Sequence, residues 1–121
     1  MQEYVVRQGD QYSIPFPILL DRYIVTSDFI DSEKPENSGD IEITVGDLRK
    51  TFKNNEIKFN TITYTFDFPL TQEETFELYP GMRLRSQVRV KFRKYGDENN
   101  FIYSYDGPDI VVIESMSKES I

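Results

Sequence analysis

Five basic residues along one segment have the types and the spacing best suited to chemistry. The segment, residues 82–94, reads MRLRSQVRVKFRK, and its apolar and polar residues alternate. This period of two predicts a long strand with one face in solvent. The basic residues share that face, within about 35 Å at ~3.4 Å per residue. They are Arg83, Arg85, Arg89, Lys91 and Arg93.

This basic face has two interpretations. It is either a groove or interface for an anion, a polynucleotide or a partner protein, or a solvated face that pairs with acidic residues on a neighbouring strand. Asp40 and Glu42 point outward on a predicted strand at 40–45 and would be the cross-strand partners. Each such pair contributes about 0.2–1 kcal/mol. Because the rest of the chain is acidic, the sequence favours the paired face, with a protein interface next.

An aromatic stripe is the second candidate contact surface. Phe101, Tyr103 and Tyr105 alternate along one face of a predicted strand that follows a hairpin turn at 96–100. Such rings either form a platform for a sugar or a partner, or belong to the edge of the core in a chain without Trp. With the five basic residues, these three complete the candidate partner-contact residues.

The acidic clusters predict no chemistry of their own. Residues 97–100 and 106–109 carry oxygen ligands suited to calcium but lack the EF-hand pattern, and turn formation explains the same residues. Glu73 and Glu74 are adjacent on a predicted helical turn and point about 100° apart, so they cannot flank one glycosidic bond. We therefore expect no catalytic, cofactor-binding or metal-binding residue, and a protein that is not an enzyme.

The composition excludes several classes of protein. The 121 residues include no His, Cys or Trp, which rules out a zinc site built on Cys or His, a disulfide and a Ser-His-Asp triad. A net charge of −7 argues against non-specific binding to nucleic acid. No apolar run reaches the ~18 residues of a membrane helix, and residues 1–4 do not begin a signal peptide. We expect neither nucleic acid nor a membrane as a partner.

The predicted elements are almost all strands. The chain has no Ala but nine Phe and eight Tyr, and it favours residues that suit pleated surfaces. Pro15 and Pro17 predict that the strand at 11–19 is an edge strand or is unpaired on its proline side, because proline cannot donate to a ladder. In another strand, Ile62, Tyr64, Phe66 and Phe68 are expected to line one face. Strand segments are predicted at 2–7, 11–19, 40–45 with a continuation over 48–52, 56–59, 61–68, 82–94, 101–105 and 109–114.

The connections carry turn signals and a single helical signal. Thr71 and Glu74 have the spacing of a capping box, which predicts one helical turn near residues 71–78. The other predicted connections are a turn at Gly9-Asp10, a mobile loop at 31–39, a bulge or bend at Gly46-Asp47, a type I′ turn at Asn54-Asn55 and a polar tail at 116–121. The whole pattern predicts a single β-sandwich domain over residues 1–121, with about seven to eight strands. A small barrel is the alternative.

Three segments resemble a known group of proteins. They are PLTQEETF at 69–76 with Tyr79-Pro80-Gly81, QVRVKF at 87–92, and the ending DIVVIESMSKE at 109–119. They resemble small structural proteins encoded in the tail or baseplate regions of tailed phages and prophages of Gram-positive gut bacteria. They are also similar to the immunoglobulin-like amino-terminal domain of phage upper-baseplate proteins.

The resemblance implies an antiparallel, immunoglobulin-like β-sandwich with a non-enzymatic, structural role. Its partners would be other phage structural proteins or further copies of the same chain, in a possible homo-oligomer. It would be made in the bacterial host cytoplasm, without a signal peptide, and would end in the virion. Two other functions stay open: a carbohydrate-binding module that uses Tyr103 and Tyr105, and an acidic phage-encoded inhibitor that mimics nucleic acid.

Overall fold

The computed structural model describes residues 3–17, 40–60, 62–63, 65–93 and 100–121. This part of the chain contains ten strands and one short helix. The predicted loop at 31–39, the end of the strand predicted at 11–19, and most of the hairpin turn at 96–100 lie outside the described residues. The elements are β1 Glu3–Arg7, β2 Tyr12–Pro17, β3 Asp40–Val45, β4 Leu48–Thr51, β5 Lys58–Asn60, β6 Thr65–Leu70, α1 Gln72–Phe76, β7 Arg83–Leu84, β8 Ser86–Arg93, β9 Asn100–Asp106 and β10 Asp109–Ile113.

The strands form three sheets, which confirms the predicted all-β, sandwich-like fold. Their orders are β1-β10-β7, β2-β6-β5 and β4-β3-β8-β9. Two details differ from the prediction. The described residues alone form ten strands rather than seven or eight, because a tight turn at 46–47 and a break at Arg85 each divide one predicted strand. The sheets are also not wholly antiparallel, since β1 and β10 run parallel.

One hydrophobic core joins the three sheets. On β3, Ile41, Ile43 and Val45 are completely buried, which confirms the alternation predicted for residues 40–45. Complete burial of a residue of this kind contributes about 1.5–3 kcal/mol relative to exposure. The remaining buried apolar residues are Val6, Ile14, Phe16, Ile57, Phe66, Phe68, Leu70, Leu84, Val88, Val90, Ile110 and Val112.

Two predicted turns have a different geometry. Gly46-Asp47 is not a bulge within one strand but a two-residue hairpin turn, because Val45 pairs with Leu48 across it. Gly46 has φ +56°, which suits the first position of such a turn. At Asn54-Asn55 the type I′ prediction is wrong. That turn needs positive φ at both residues, and only Asn55, at +61°, has it.

The expected inward position of Ile62 is also wrong. Ile62 lies in the turn between β5 and β6, where its side chain is 94% exposed. The Asn60 side chain accepts hydrogen bonds from the backbone N–H groups of Ile62 (2.9 Å) and Thr63 (3.2 Å), which holds the chain in a turn. Phe66 and Phe68 are buried as expected, whereas Tyr64 lies outside the described residues.

The short helix α1 begins as the sequence predicts. The Thr71 side chain accepts from the Glu74 N–H at 3.1 Å, and the Glu74 carboxylate accepts from the Thr71 N–H at 2.9 Å, which completes the capping box. Thr75 is fully buried and anchors the helix to the turn between β1 and β2. Its hydroxyl accepts from the Gly9 N–H (3.0 Å) and donates to the Asp10 carbonyl (2.8 Å).

Candidate protein interface

The predicted long basic strand is divided between two sheets. β7 pairs with β10, whereas β8 pairs with β3 and β9, so the prediction of one continuous strand at 82–94 is wrong. The break falls at Arg85, whose carbonyl accepts from the Gly46 N–H at 2.9 Å. The alternation still holds across the break, since Leu84, Ser86 and Val88 are buried on the inner side.

Arg83 belongs to the smaller sheet and is bound within the molecule. Its guanidinium lies 2.5 Å from the Glu3 carboxylate and 3.1 Å from that of Asp109. Hydrogen bonds to Glu3 and then Asp109 raise the pKa of Arg83 above its usual value. These pairs join β1, β10 and β7, so Arg83 is separated from the remaining basic residues in position and in role.

Arg89 and Lys91 lie on the outer face of the four-stranded sheet. Glu42 is directly opposite Arg89, and Asp40 is opposite Lys91, as the cross-strand interpretation expects. The Glu42 carboxylate lies 2.6 Å from Arg49 on β4 but 3.7 Å from Arg89. Glu42 is therefore shared between two guanidinium groups and is held more closely by Arg49.

Lys91 has no carboxylate partner among the described residues. The Asp40 carboxylate instead accepts from two backbone N–H groups, those of Ile41 (2.8 Å) and Lys53 (2.9 Å). A shallow cavity of about 210 Å³ lies beside Lys91 on this outer face. It is lined by Asp40, Glu42, Arg49, Arg89, Val90, Lys91 and Ile102. Three cations and two carboxylates line it, which makes this face locally positive on a chain of net charge −7.

The predicted tyrosine stripe faces the opposite side of the same sheet. Tyr103 and Tyr105 on β9 are directly opposite Val90 and Val88, and opposed residues in an antiparallel pair share a face. Their ring centroids are 6.1 Å apart. The Tyr105 hydroxyl donates to the Pro17 carbonyl at 2.9 Å, so Tyr105 connects β9 to the end of β2. The basic and aromatic candidates therefore do not form one surface.

Two residues of β9 that the sequence reasoning did not select lie beside the basic residues. Ile102 is opposite Lys91, and Ser104 is opposite Arg89. The Ile102 side chain is 63% exposed. The alternation of residues along β9 could have identified them, because it places Ile102 and Ser104 on the face opposite Tyr103 and Tyr105. The side chains of Arg93 and Phe101, the other predicted contact residues, lie outside the description.

β9 is an edge strand in the described part of the chain, where it pairs with β8 alone. β2 is likewise at an edge and pairs there with β6 alone, as predicted for residues 11–19. The two edges differ chemically, because Pro15 and Pro17 remove two N–H donors from β2. Strand β9 contains no proline over its seven residues and therefore offers the better template for a further strand.

Comparisons of this chain with protein-family models, with curated proteins and with solved structures found no match. The immunoglobulin-like and phage assignments therefore stay predictions that derive from the resemblance. In the described ranges, no group of three or more acidic side chains is close enough to hold a metal ion. The helix in the described residues is too short to cross a membrane.

Proposed function

We propose that this chain is a non-enzymatic structural or assembly protein of a tailed phage or prophage, from the tail or baseplate region. It acts through protein–protein contacts with other structural proteins of the particle or with further copies of itself. The observation that supports the contact function is that β9, within the described residues, pairs with β8 alone and lies beside the positive outer face of its sheet. The resemblance of residues 69–76, 79–81, 87–92 and 109–119 supports the phage assignment.

The fold suits a rigid scaffold that presents an edge. A core drawn from all three sheets holds β8 and β3 in register, and these strands hold β9. The Tyr105 hydroxyl also ties β9 to β2 in another sheet. An edge held in this way binds a partner at a small cost in ordering, because little conformational freedom is lost on association.

The two alternative functions have less support from the geometry. A sugar platform needs open ring faces, but Tyr105 is half-buried and its hydroxyl already has a protein acceptor. An acidic mimic of nucleic acid needs a continuous negative surface, which the cavity with Arg49, Arg89 and Lys91 interrupts. The contact function uses both the positive charge of the outer face and the position of β9 at the end of its sheet as the described residues form it.

Light scattering after size exclusion, over a concentration series at low and high salt, tests this function. The same protein, carrying an affinity tag, is then used to capture proteins from a preparation of phage tails. We expect either a closed oligomer or capture of a tail component, and weaker association at high salt. A chain that stays monomeric at high concentration and captures no tail component would contradict the proposal.

A further inference from the structure

We propose that the outer face of the small β1-β10-β7 sheet binds the same face of a second copy of this chain, in a two-fold contact. This inference rests on the proposed function, because it names the chain itself as a partner in the assembly and gives the surface that the contact uses. We call this surface the β1–β10 face. Its residues are Glu3, Val5, Arg7, Asp109, Val111 and Ile113.

The centre of the β1–β10 face is apolar. Val5 is directly opposite Val111 in the parallel pair, and Ile113 is the next residue of β10 on the same side. The alternate residues Val6 and Val112 point into the core, where they are 0% and 1% exposed. Val5, in contrast, is 50% exposed, and Val111 and Ile113 are half-buried. A partner that covers these three side chains would therefore remove further apolar area from water.

The described segments beside this face leave Val5 exposed. After β10, residues 114–121 turn toward helix α1. The Lys118 ammonium donates to the Gln8 side chain at 3.2 Å, and the Ile121 N–H donates to that of Gln72 at 3.2 Å. The chain before β7 joins the sheet through its backbone, since the Gly81 N–H donates to the Val112 carbonyl at 2.8 Å. The polar tail is therefore held at α1 rather than over the apolar centre.

The two ends of the face carry opposite charge. At one end, Glu3 and Asp109 share the single guanidinium of Arg83, which leaves one negative charge in excess. At the other end lies Arg7, four residues along β1 from Glu3, or about 13 Å at ~3.3 Å per residue. The Arg7 side chain is exposed and forms no ion pair with the described residues. The face is thus complementary in charge to a copy of itself that runs in the opposite direction.

This complementarity selects a second copy as the occupant and fixes its orientation. A two-fold axis that crosses the strands at Val5 makes the strands of the two copies antiparallel. Each Glu3 then lies over Arg7 of the other copy, and the two Val5 side chains meet at the axis. Packed sheets are about 10 Å apart, a distance that glutamate and arginine side chains span together. A partner of uniform charge would match only one end of the face.

The size of the face determines the strength of the contact. Its three strands have five, five and two residues, so it is much smaller than the ~800 Å² that each partner contributes to a stable interface. We therefore expect a weak dimer, with a dissociation constant on the order of 0.1–1 mM. Copies held side by side in an assembly would bind more strongly, because their effective concentration is higher.

NMR over a concentration series tests the contact. The amide shifts of the full ¹⁵N-labelled chain are followed from about 20 µM to about 2 mM, a range that includes the expected dissociation constant. We expect saturable shifts at residues 3–7 and 109–113, and constant shifts at 40–45 in the four-stranded sheet. If the amides of residues 3–7 and 109–113 do not shift over this range, the proposal is overturned.

Two charge reversals localise the contact. Arg7→Glu should weaken association about tenfold, because both ion pairs of a two-fold interface become repulsions. Lys91→Glu makes the same change in charge on the outer face of another sheet and should leave the association within about twofold. Sedimentation velocity measures both variants, and their Tm values show that each is folded. Equal weakening would indicate a general charge effect and would overturn the β1–β10 face.

The absence of cysteine from the chain allows a direct test of the orientation. Val5→Cys places two thiols at the two-fold axis, close enough for a short bis-maleimide to join them across sheets about 10 Å apart. Ile62→Cys is the matched control, because Ile62 is 94% exposed but lies in the turn between β5 and β6. We expect a much higher yield of covalent dimer from Val5→Cys at equal concentration. Equal yields would indicate random collision and would overturn the two-fold contact.

Capture of tail proteins separates this inference from the proposed function. If the wild-type protein captures tail components but shows neither the NMR shifts nor the Val5→Cys dimer, the two-fold contact is overturned and the assembly function stands. If the face self-associates while no tail component is captured, the two-fold contact is supported and binding to other tail proteins is contradicted. Loss of capture in Arg7→Glu without self-association of the wild type would assign the face to a different protein and overturn the second copy as its occupant.

Discussion

Lys50 on β4 binds Glu74 of α1 and thereby joins two of the sheets through the helix. Its ammonium lies 2.8 Å from the Glu74 carboxylate and 2.5 Å from the Pro69 carbonyl at the end of β6. It also lies 5.0 Å from the centre of the Phe68 ring, and the Lys50 side chain is only 13% exposed. One largely buried cation therefore connects the four-stranded sheet, the β2-β6-β5 sheet and the helix cap.

This contact gives the stability of the protein a dependence on pH. Partial burial alone would raise the pKa of Glu74, but hydrogen bonds from Lys50 and the Thr71 backbone outweigh it, so the pKa lies below its usual value. A carboxyl with a lowered folded pKa contributes stability above its unfolded pKa and loses it as the pH falls through the folded pKa. Glu74→Gln should therefore cost about 1 kcal/mol at pH 7 and progressively less below about pH 4. Urea unfolding of both proteins from pH 7 to pH 2.5 measures this, and a pH-independent difference would contradict it.

The buried hydroxyl of Thr75 should be more important for stability than its size suggests. Thr75→Val keeps the volume but leaves the Gly9 N–H without an acceptor in a buried position. We expect the free energy of unfolding to fall by about 1–3 kcal/mol. Thr44→Val on the outer face of β3 is the matched control and should change it by less than about 0.5 kcal/mol. Equal effects of the two substitutions in denaturant unfolding would refute this role for the hydroxyl.

Arg83 should serve the fold rather than a partner. Arg83→Glu places a third carboxylate beside Glu3 and Asp109 and should lower the Tm clearly more than Arg85→Glu does. Thermal unfolding of the two variants at pH 7 tests this statement. Identical Tm values for the two variants at pH 7 would mean that the ion pairs are not needed.

Alanine substitutions at Ile43 and Ile62 should have very different effects on stability, although the sequence predicts an inward position for both. Ile43→Ala removes a fully buried side chain from β3 and should cost about 2–5 kcal/mol. Ile62→Ala alters a side chain that is 94% exposed in a turn and should change the stability by less than about 0.5 kcal/mol. A large loss for Ile62→Ala in urea unfolding would support the inward position expected from the sequence.

Local patterns were read correctly where their causes are local. The period of two in DIEITV depends only on adjacent residues, and it placed Ile41, Ile43 and Val45 inward. The capping box also depends on residues three apart, and both of its hydrogen bonds are present. The position of Glu42 opposite Arg89 was predicted because both residues alternate to the outer face of their strands, and β3 and β8 pair as expected.

The wrong predictions concern features that depend on contacts between residues distant in the chain. The sequence alone determined that this chain is built of strands, which residues alternate, where the helix begins, and that a basic strand lies near acidic neighbours. Only the tertiary structure decided that residues 82–94 change sheets at Arg85, that Ile62 lies in a turn, and that the tyrosines face away from Arg89 and Lys91. Alternation records which residues share a face, but the partner strand and its register depend on residues distant in the chain. A shift of one residue in that register exchanges the two faces.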